Sequence, residues 1–504
     1  MSIKSLAKDT AVYGLSSIVG RFLNWCLVPL YVYLFPTEEY GIVTYLYGVT
    51  AVMLVILNYG METGFFRFAN KEDDPEKVYT TSLISVGSTS LAFLILLTVF
   101  IRPISVGLKL PQQSLFVWLI GATVAVDAFC NLPFAYLRYK NKSWRFAGIK
   151  LINVALNIGL NLFFLLVCPE IAKTNPGLIS WFYEAEGGKA FGIGWIFVAN
   201  IISSYVILIL LMPQIIGRIW RFSWALLKQM LSYSWPLLIL AIAGMLSQNM
   251  GQLIIPYLIS DEEAARSMIG IYGANMKIAI VMVMFTQAFR YAYEPFIFSQ
   301  AKKAGESSGQ MYADAMKYFI IFGWLIFLGV MFYLPFVKYF ISPSYWEGLQ
   351  VVPVMMLAEI CFGVFFNLSL WYKLTDRTRW GMYLSIICFA IMLGLNIWLV
   401  TYIGVPNGYM GSAWAALIGY FAVMVLSYFL GRKYYPLPYE IKRISAYTLL
   451  AGIFYAAGMS IGLVFPDWFV YIVRSFLLIL YCGTIAHFEN IPFISPYVRR
   501  LTHS

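Results

Sequence analysis

The sequence predicts an all-α polytopic membrane protein with about fourteen transmembrane helices. They are arranged as two six-helix lobes around a central cavity, with two helices after them. Three observations carry this. Mean hydropathy is +0.75 with only 12% charged residues. Apolar stretches of about 20 residues recur along the chain, the length a helix needs to cross roughly 30 Å of hydrocarbon. The two halves of the sequence also echo one another.

The apolar stretches are centred near residues 22, 50, 89, 125, 157, 201, 245, 280, 329, 361, 391, 420, 453 and 477. All are read as helices, because a helix satisfies its own backbone groups where no water can. An even number of crossings puts both termini on one face. When alternate loops are assigned to opposite faces, most of the 35 Lys and Arg residues fall on the face of Lys4 and Lys8. Arg138, Lys140, Lys142 and Arg145 form one such loop, and the acidic turn Asp261-Glu262-Glu263 lies opposite. The positive-inside rule then makes both termini cytoplasmic.

The net charge of +11 is therefore a topology signal spread over many short loops, which argues against nucleic-acid binding. The first apolar segment is too long for a cleaved signal peptide and lacks a small-residue cleavage site, so it is expected to remain as an anchor. Six scattered cysteines and two histidines, His487 and His503, offer no disulfide framework, zinc site or Cys/His pair. No phosphate-binding glycine loop is present, and no loop is large enough for a catalytic domain, so no enzyme activity and no cofactor are expected.

The echo joins "LVPLYVYLFPTEEYGIV" from Leu27 to "LIIPYLISDEEAARSMIGIYG" from Leu253. Pro29 aligns with Pro256, and Glu38-Glu39 with Glu262-Glu263. A second echo links "LNIGLNLFFLL" at residue 156 to "LGLNIWLVTYIG" at residue 393. Repeats with an even number of spans share one orientation, related by an axis along the membrane normal. The expected lobes are residues 1–228 and 229–432, with 433–504 holding the last two helices and the tail.

Ionisable and amide side chains inside spans mark a bundle interior or a substrate path. In the first span Thr10, Gly14, Ser17, Arg21 and Asn24 share one helical face. The partner of Arg21 is either a substrate anion or a buried carboxylate. In the fifth span Lys150, Asn153, Asn157 and Asn161 share a face, suited either to hydroxyl-rich ligands or to interhelical hydrogen bonding. The eighth span places Lys277 near the midplane. Arg290 and Glu294, four apart near its cytoplasmic end, suit a local ion pair or a cavity role. Gln248 and Asn249 in the seventh span sit beyond Pro236, in a helix expected to bend. Glu62, Asp127 and Glu359 are the carboxylates available to partner these cations or to bind a coupling ion. Arg21 and Lys277, one in each lobe, would make a cavity that attracts anions.

The segment "YGLSSIVGRFLNWCLVPLYVYLFPTEEYGIV" from Tyr13 resembles the N-terminal signature of the polysaccharide (O-antigen) flippase family. That family lies within the multidrug/oligosaccharidyl-lipid/polysaccharide (MOP) exporter superfamily. "QAFRYAYEPF" from Gln287 and "LNIWLVTYIGVPNGYMGSAWAALIGY" from Leu395 look like further family positions. The resemblance implies two lobes that open alternately, and a cationic cavity for the pyrophosphate-sugar head of an undecaprenyl-linked oligosaccharide. It also implies lipid tails left in the bilayer, Na+ or H+ coupling, a bacterial inner-membrane location and an important first-span arginine, here Arg21. Membrane lipid, a polysaccharide polymerase and a chain-length regulator are the partners it suggests. A multidrug exporter of the same superfamily is the alternative, and would depend on Asp127 or Glu359 rather than on Arg21.

Overall fold

The computed structural model describes residues 19–175, 177, 179–180, 183, 191–217, 219–301, 307–375, 377, 379–462 and 465–489, with side chains undescribed at 291, 292, 294–301, 307 and 308. The described residues contain helices and no strand. Thirteen segments are long and apolar enough to cross a membrane, and a shorter apolar helix precedes them. In order they are α1 (Val19–Leu34), α2 (Thr37–Ala69), α3 (Pro75–Val99), α4 (Ser114–Tyr139), α5 (Ser143–Thr174), α6 (Gly194–Gln214) and α7 (Trp224–Leu258). Then come α8 (Glu262–Arg290), α9 (Gly309–Phe332), α10 (Pro343–Leu374), α11 (Arg379–Ile403), α12 (Tyr409–Tyr434), α13 (Ile441–Ile461) and α14 (Asp467–Glu489). Each corresponds to one of the fourteen stretches read from hydropathy, so the chain is a multi-pass, all-α membrane protein.

Several irregularities follow from individual residues. Pro29 cannot donate to the carbonyl one turn back. The helix of α1 accordingly breaks at Cys26–Leu27, where the Leu27 amide donates to Asn24 O at 3.2 Å, and restarts at Val28. In α2, Tyr59 and Gly60 adopt left-handed backbone angles, and a second short helix, Met61–Ala69, follows. A π-helical turn, Phe163–Val167, lies within α5.

The chain divides into two compact units. The first comprises residues 1–273 and 392–412, and so takes in α7 and the opening turns of α8. At its centre α4 packs against α2, α3, α5 and α6. The echoed segments also meet inside this unit, because α2 and the start of α8 cross at glycines. A Cβ on Gly41 would lie 1.9 Å from Arg266 O, and one on Gly270 would lie 2.0 Å from Thr37 O. Small residues let membrane helices approach until backbone meets backbone. Thr37 Oγ1 and Ser267 Oγ share a 2.8 Å hydrogen bond across this crossing.

The second unit comprises residues 274–391 and 413–504. Here α9 packs against α10, α13 and α14. Two buried cations fasten the last two helices to it. The Lys317 ammonium lies 2.7 Å from Glu489, 3.2 Å from Asp314 and 3.4 Å from Glu440. At the opposite end of these helices Arg474 donates to Phe332 O and Gly458 O, each at 3.0 Å. Phe332 O is among the terminal carbonyls that α9 itself cannot satisfy.

Two outcomes are expected. Gly270→Val forces α2 and α8 apart and lowers the melting temperature in detergent, whereas Gly159→Val, with nothing within 4 Å, leaves it unchanged. Lys317→Met strands a buried carboxylate and costs about 3–5 kcal/mol of stability. Pairing it with Glu489→Gln recovers part of that loss in the same melting assay.

Candidate functional site

A cavity of about 330 Å³ opens within the first unit. Three helices supply its polar wall at helical spacing. α1 gives Arg21 and Asn24, one turn apart; α4 gives Asp127, Asn131 and Phe134; and α5 gives Lys150 and Asn153. Leu54 and Ile207, from α2 and α6, contribute apolar surface. Gly20 lets α1 lie close to α5, since its Cβ would stand 3.2 Å from Val154 Cγ2.

The charges in this cavity are unequally held. Lys150 lies over the Phe134 ring with its ammonium 4.2 Å from the centroid. Among the described residues it makes no contact ion pair, and Asp127 acts on it only through space. Ser204, a buried α6 side chain, lies near enough to Asp127 to act on it. Arg21 is an exposed residue on the cavity wall. The lining thus combines two cations, one carboxylate, three amides and an aromatic face. Such a wall attracts an anion and offers both donors and acceptors to hydroxyl groups.

Of the residues singled out from sequence, Arg21, Asn24, Asp127, Lys150 and Asn153 come together here. Asn157 and Asn161, on the same helix as Lys150, do not line the cavity. They belong to a chain of interhelical bonds: Tyr31 donates to Asn161 Oδ1 at 2.9 Å, Asn161 Nδ2 to Asn157 Oδ1 at 3.1 Å, Asn157 Nδ2 to Asn200 Oδ1 at 2.6 Å, and Asn200 Nδ2 to Tyr47 at 2.7 Å. This chain ties α1, α5, α6 and α2 together. Glu62 is ion-paired with Arg138, whose guanidinium also lies 5.1 Å from the Phe66 ring centroid. Gln248 and Asn249 lie on α7 away from the cavity lining, with Asn249 Nδ2 donating to Met245 O.

Lys277, Arg290 and Glu359 belong to the second unit. Arg290 sits 4.4 Å from the Phe366 ring centroid, and Glu359 is buried in α10. Thr10, Gly14, Ser17 and the side chain of Glu294 lie outside the described residues. The sequence reading missed Asn131, Phe134 and Ser204. Asn131 and Phe134 fall four and seven residues after Asp127, so the helical spacing applied to the first and fifth spans would have found them.

No family profile matches the sequence, and no curated protein does. Solved structures do match. The lipid II flippase MurJ in an inward closed conformation aligns with a TM-score of 0.70 at 14% identity, covering 97% of this chain and 100% of that one. An inward-facing MATE multidrug resistance transporter of the MOP superfamily aligns at 0.64 and 14% identity, over 85% and 95% of the two chains. A MATE protein in complex with MaD3S aligns at 0.55 and 14%, over 88% and 96%. At these identities the likeness is one of fold alone, and the matched proteins are a lipid II flippase and MATE transporters.

Proposed function

We propose that this protein is a flippase for a lipid-linked oligosaccharide, carried on undecaprenyl pyrophosphate across the bacterial inner membrane for surface-polysaccharide assembly. The observation that supports it is the cavity of the first unit, where Arg21 and Lys150 outnumber Asp127 and stand among Asn24, Asn131 and Asn153. A pyrophosphate cannot enter hydrocarbon without large cost, and cations in a hydrated cavity offset that cost while the apolar tail stays in lipid. Arg21 and Lys150 would hold the anion, the three amides would bond sugar hydroxyls, and Phe134 would present a face to a sugar ring. Asp127 would balance the cations in the empty cavity. Alternating access between lobes 1–228 and 229–432, driven by Na+ or H+ and with both termini cytoplasmic, is the proposed mode of action. Lys277 and Arg290 are the second unit's proposed contribution to anion binding, and Glu359 its proposed coupling carboxylate. A polymerase and a chain-length regulator are the proposed partners.

A second reading, an ion-coupled exporter of cationic drugs, draws on Asp127, a carboxylate in the cavity wall. Inverted vesicles loaded with labelled lipid-linked oligosaccharide separate the two. On the flippase reading Arg21→Ala and Lys150→Ala each slow translocation about tenfold or more, the loss of a charge-assisted hydrogen bond, and the double variant is inactive. Normal transport by the double variant would overturn that reading. On the exporter reading Asp127→Asn abolishes resistance to cationic compounds, while Arg21→Ala leaves it intact.

A further inference from the structure

A second polar cavity, of about 270 Å³, lies wholly in the second unit, where the ends of α10 and α12 meet the linker to α13. Its construction is local. The linker reads "YPLPYE" from Tyr435, and its two prolines remove backbone donors and favour an extended path. The Tyr435 amide closes the last turn of α12 on Gly431 O at 2.7 Å. Trp371, at the end of α10, forms an apolar floor: it is fully buried and donates to Ser427 Oγ at 3.2 Å. Gly431 is required at this point, since a Cβ there would stand 2.9 Å from Trp371 Cδ1. Tyr434 stacks on Trp371 at 5.6 Å, with the Arg377 guanidinium 4.3 Å from its own ring centroid.

The polar side of this cavity is made of donors. Arg432, Tyr428, Tyr435 and Tyr439 line it, and among the described residues no Asp or Glu does. Glu440, the only acid of the linker, is engaged with Lys317 and Arg443. The Tyr428 and Tyr435 phenols lie close enough to Tyr439 to act on it, and Tyr439 in turn acts on Tyr293. The Tyr293 hydroxyl is buried without a hydrogen-bond partner among the described residues. A phenol is a protonated donor at neutral pH, and burial, reinforced by Tyr428 and Tyr435, pushes that of Tyr439 further up. Neutral phenols around a guanidinium match the three acceptor oxygens of a phosphate group.

We infer that this cavity is a phosphate-binding site, in which Arg432 and the hydroxyls of Tyr435 and Tyr439 hold the anion above the Trp371 floor. Helix ends carrying Arg, Lys and aromatic residues sit at headgroup level, where a phospholipid phosphate is within reach. Free phosphate offers the same chemistry. The site is separate from the cavity of the first unit, and its assignment does not rest on the transport reading.

The test uses the purified full-length protein. Native mass spectrometry measures retention of phosphatidylglycerol against phosphatidylcholine, and thermal melting compares sodium phosphate with sodium chloride at equal ionic strength. Arg432→Gln, at an exposed position, is expected to weaken anion binding about tenfold. Tyr435→Phe/Tyr439→Phe, which keeps both rings, weakens it several-fold, and Arg221→Gln in the first unit has no effect. Phosphatidylglycerol retention lost in the variants identifies the ligand as a lipid headgroup; a phosphate-specific stabilisation lost in them identifies it as free phosphate. If Arg432→Gln and the double phenylalanine variant match the wild type with both probes, the site is overturned.

Discussion

A polar side chain carried between these helices is costly unless another protein group satisfies it, because hydrocarbon offers no substitute partner. That constraint sorts the intramembrane polar residues into two classes. One class is spent. Tyr31, Asn161, Asn157, Asn200 and Tyr47 hand hydrogen bonds from helix to helix until little bonding capacity is left over. Such a chain fixes which helices are neighbours and leaves nothing to offer a ligand.

The cations show the same division more sharply. Lys317 is surrounded by three carboxylates, and Arg474 bonds two backbone carbonyls from different helices. Both are buried, and both fasten α13 and α14 to α9. Lys150 is held by an aromatic face and by a carboxylate that acts through space. A cation of the first kind is a bolt, since moving it would strand several partners at once. A cation of the second kind can exchange its surroundings for an incoming anion without leaving a buried charge uncompensated. Charge type and depth alone would not separate Lys317 from Lys150; their contacts do.

What could be read in advance divides along the same line. Hydropathy located all fourteen segments, because span length is set by the bilayer and is local in sequence. The stripe of Arg21 and Asn24 was legible for a related reason: residues one turn apart on a helix share a face whatever the helix packs against. Spacing could not say which part of a stripe faces a neighbouring helix and which part a cavity. Lys150 and Asn153 line the opening, while Asn157 and Asn161, on successive turns, are covered by α1 and α6. The pairing of Glu62 with Arg138 joins residues 76 positions apart and left no trace in either local sequence. The cluster at Lys317 is equally illegible from spacing, because two of its three carboxylates, Glu440 and Glu489, are distant in sequence.

The size of the first cavity constrains the proposed transport more than its charge does. About 330 Å³ lies at the lower end of the roughly 300–1,000 Å³ typical of small-molecule pockets. A space of that size admits one sugar ring or one pyrophosphate with its water, not an oligosaccharide. On the flippase reading, then, Arg21 and Lys150 can grip only the part of the substrate next to the lipid, and the remaining sugars must lie outside this wall. Recognition concentrated on the charged end makes transport depend steeply on that end and weakly on the sugars beyond it. The three amides fit such a role, since an asparagine donates and accepts and so tolerates hydroxyls in more than one configuration.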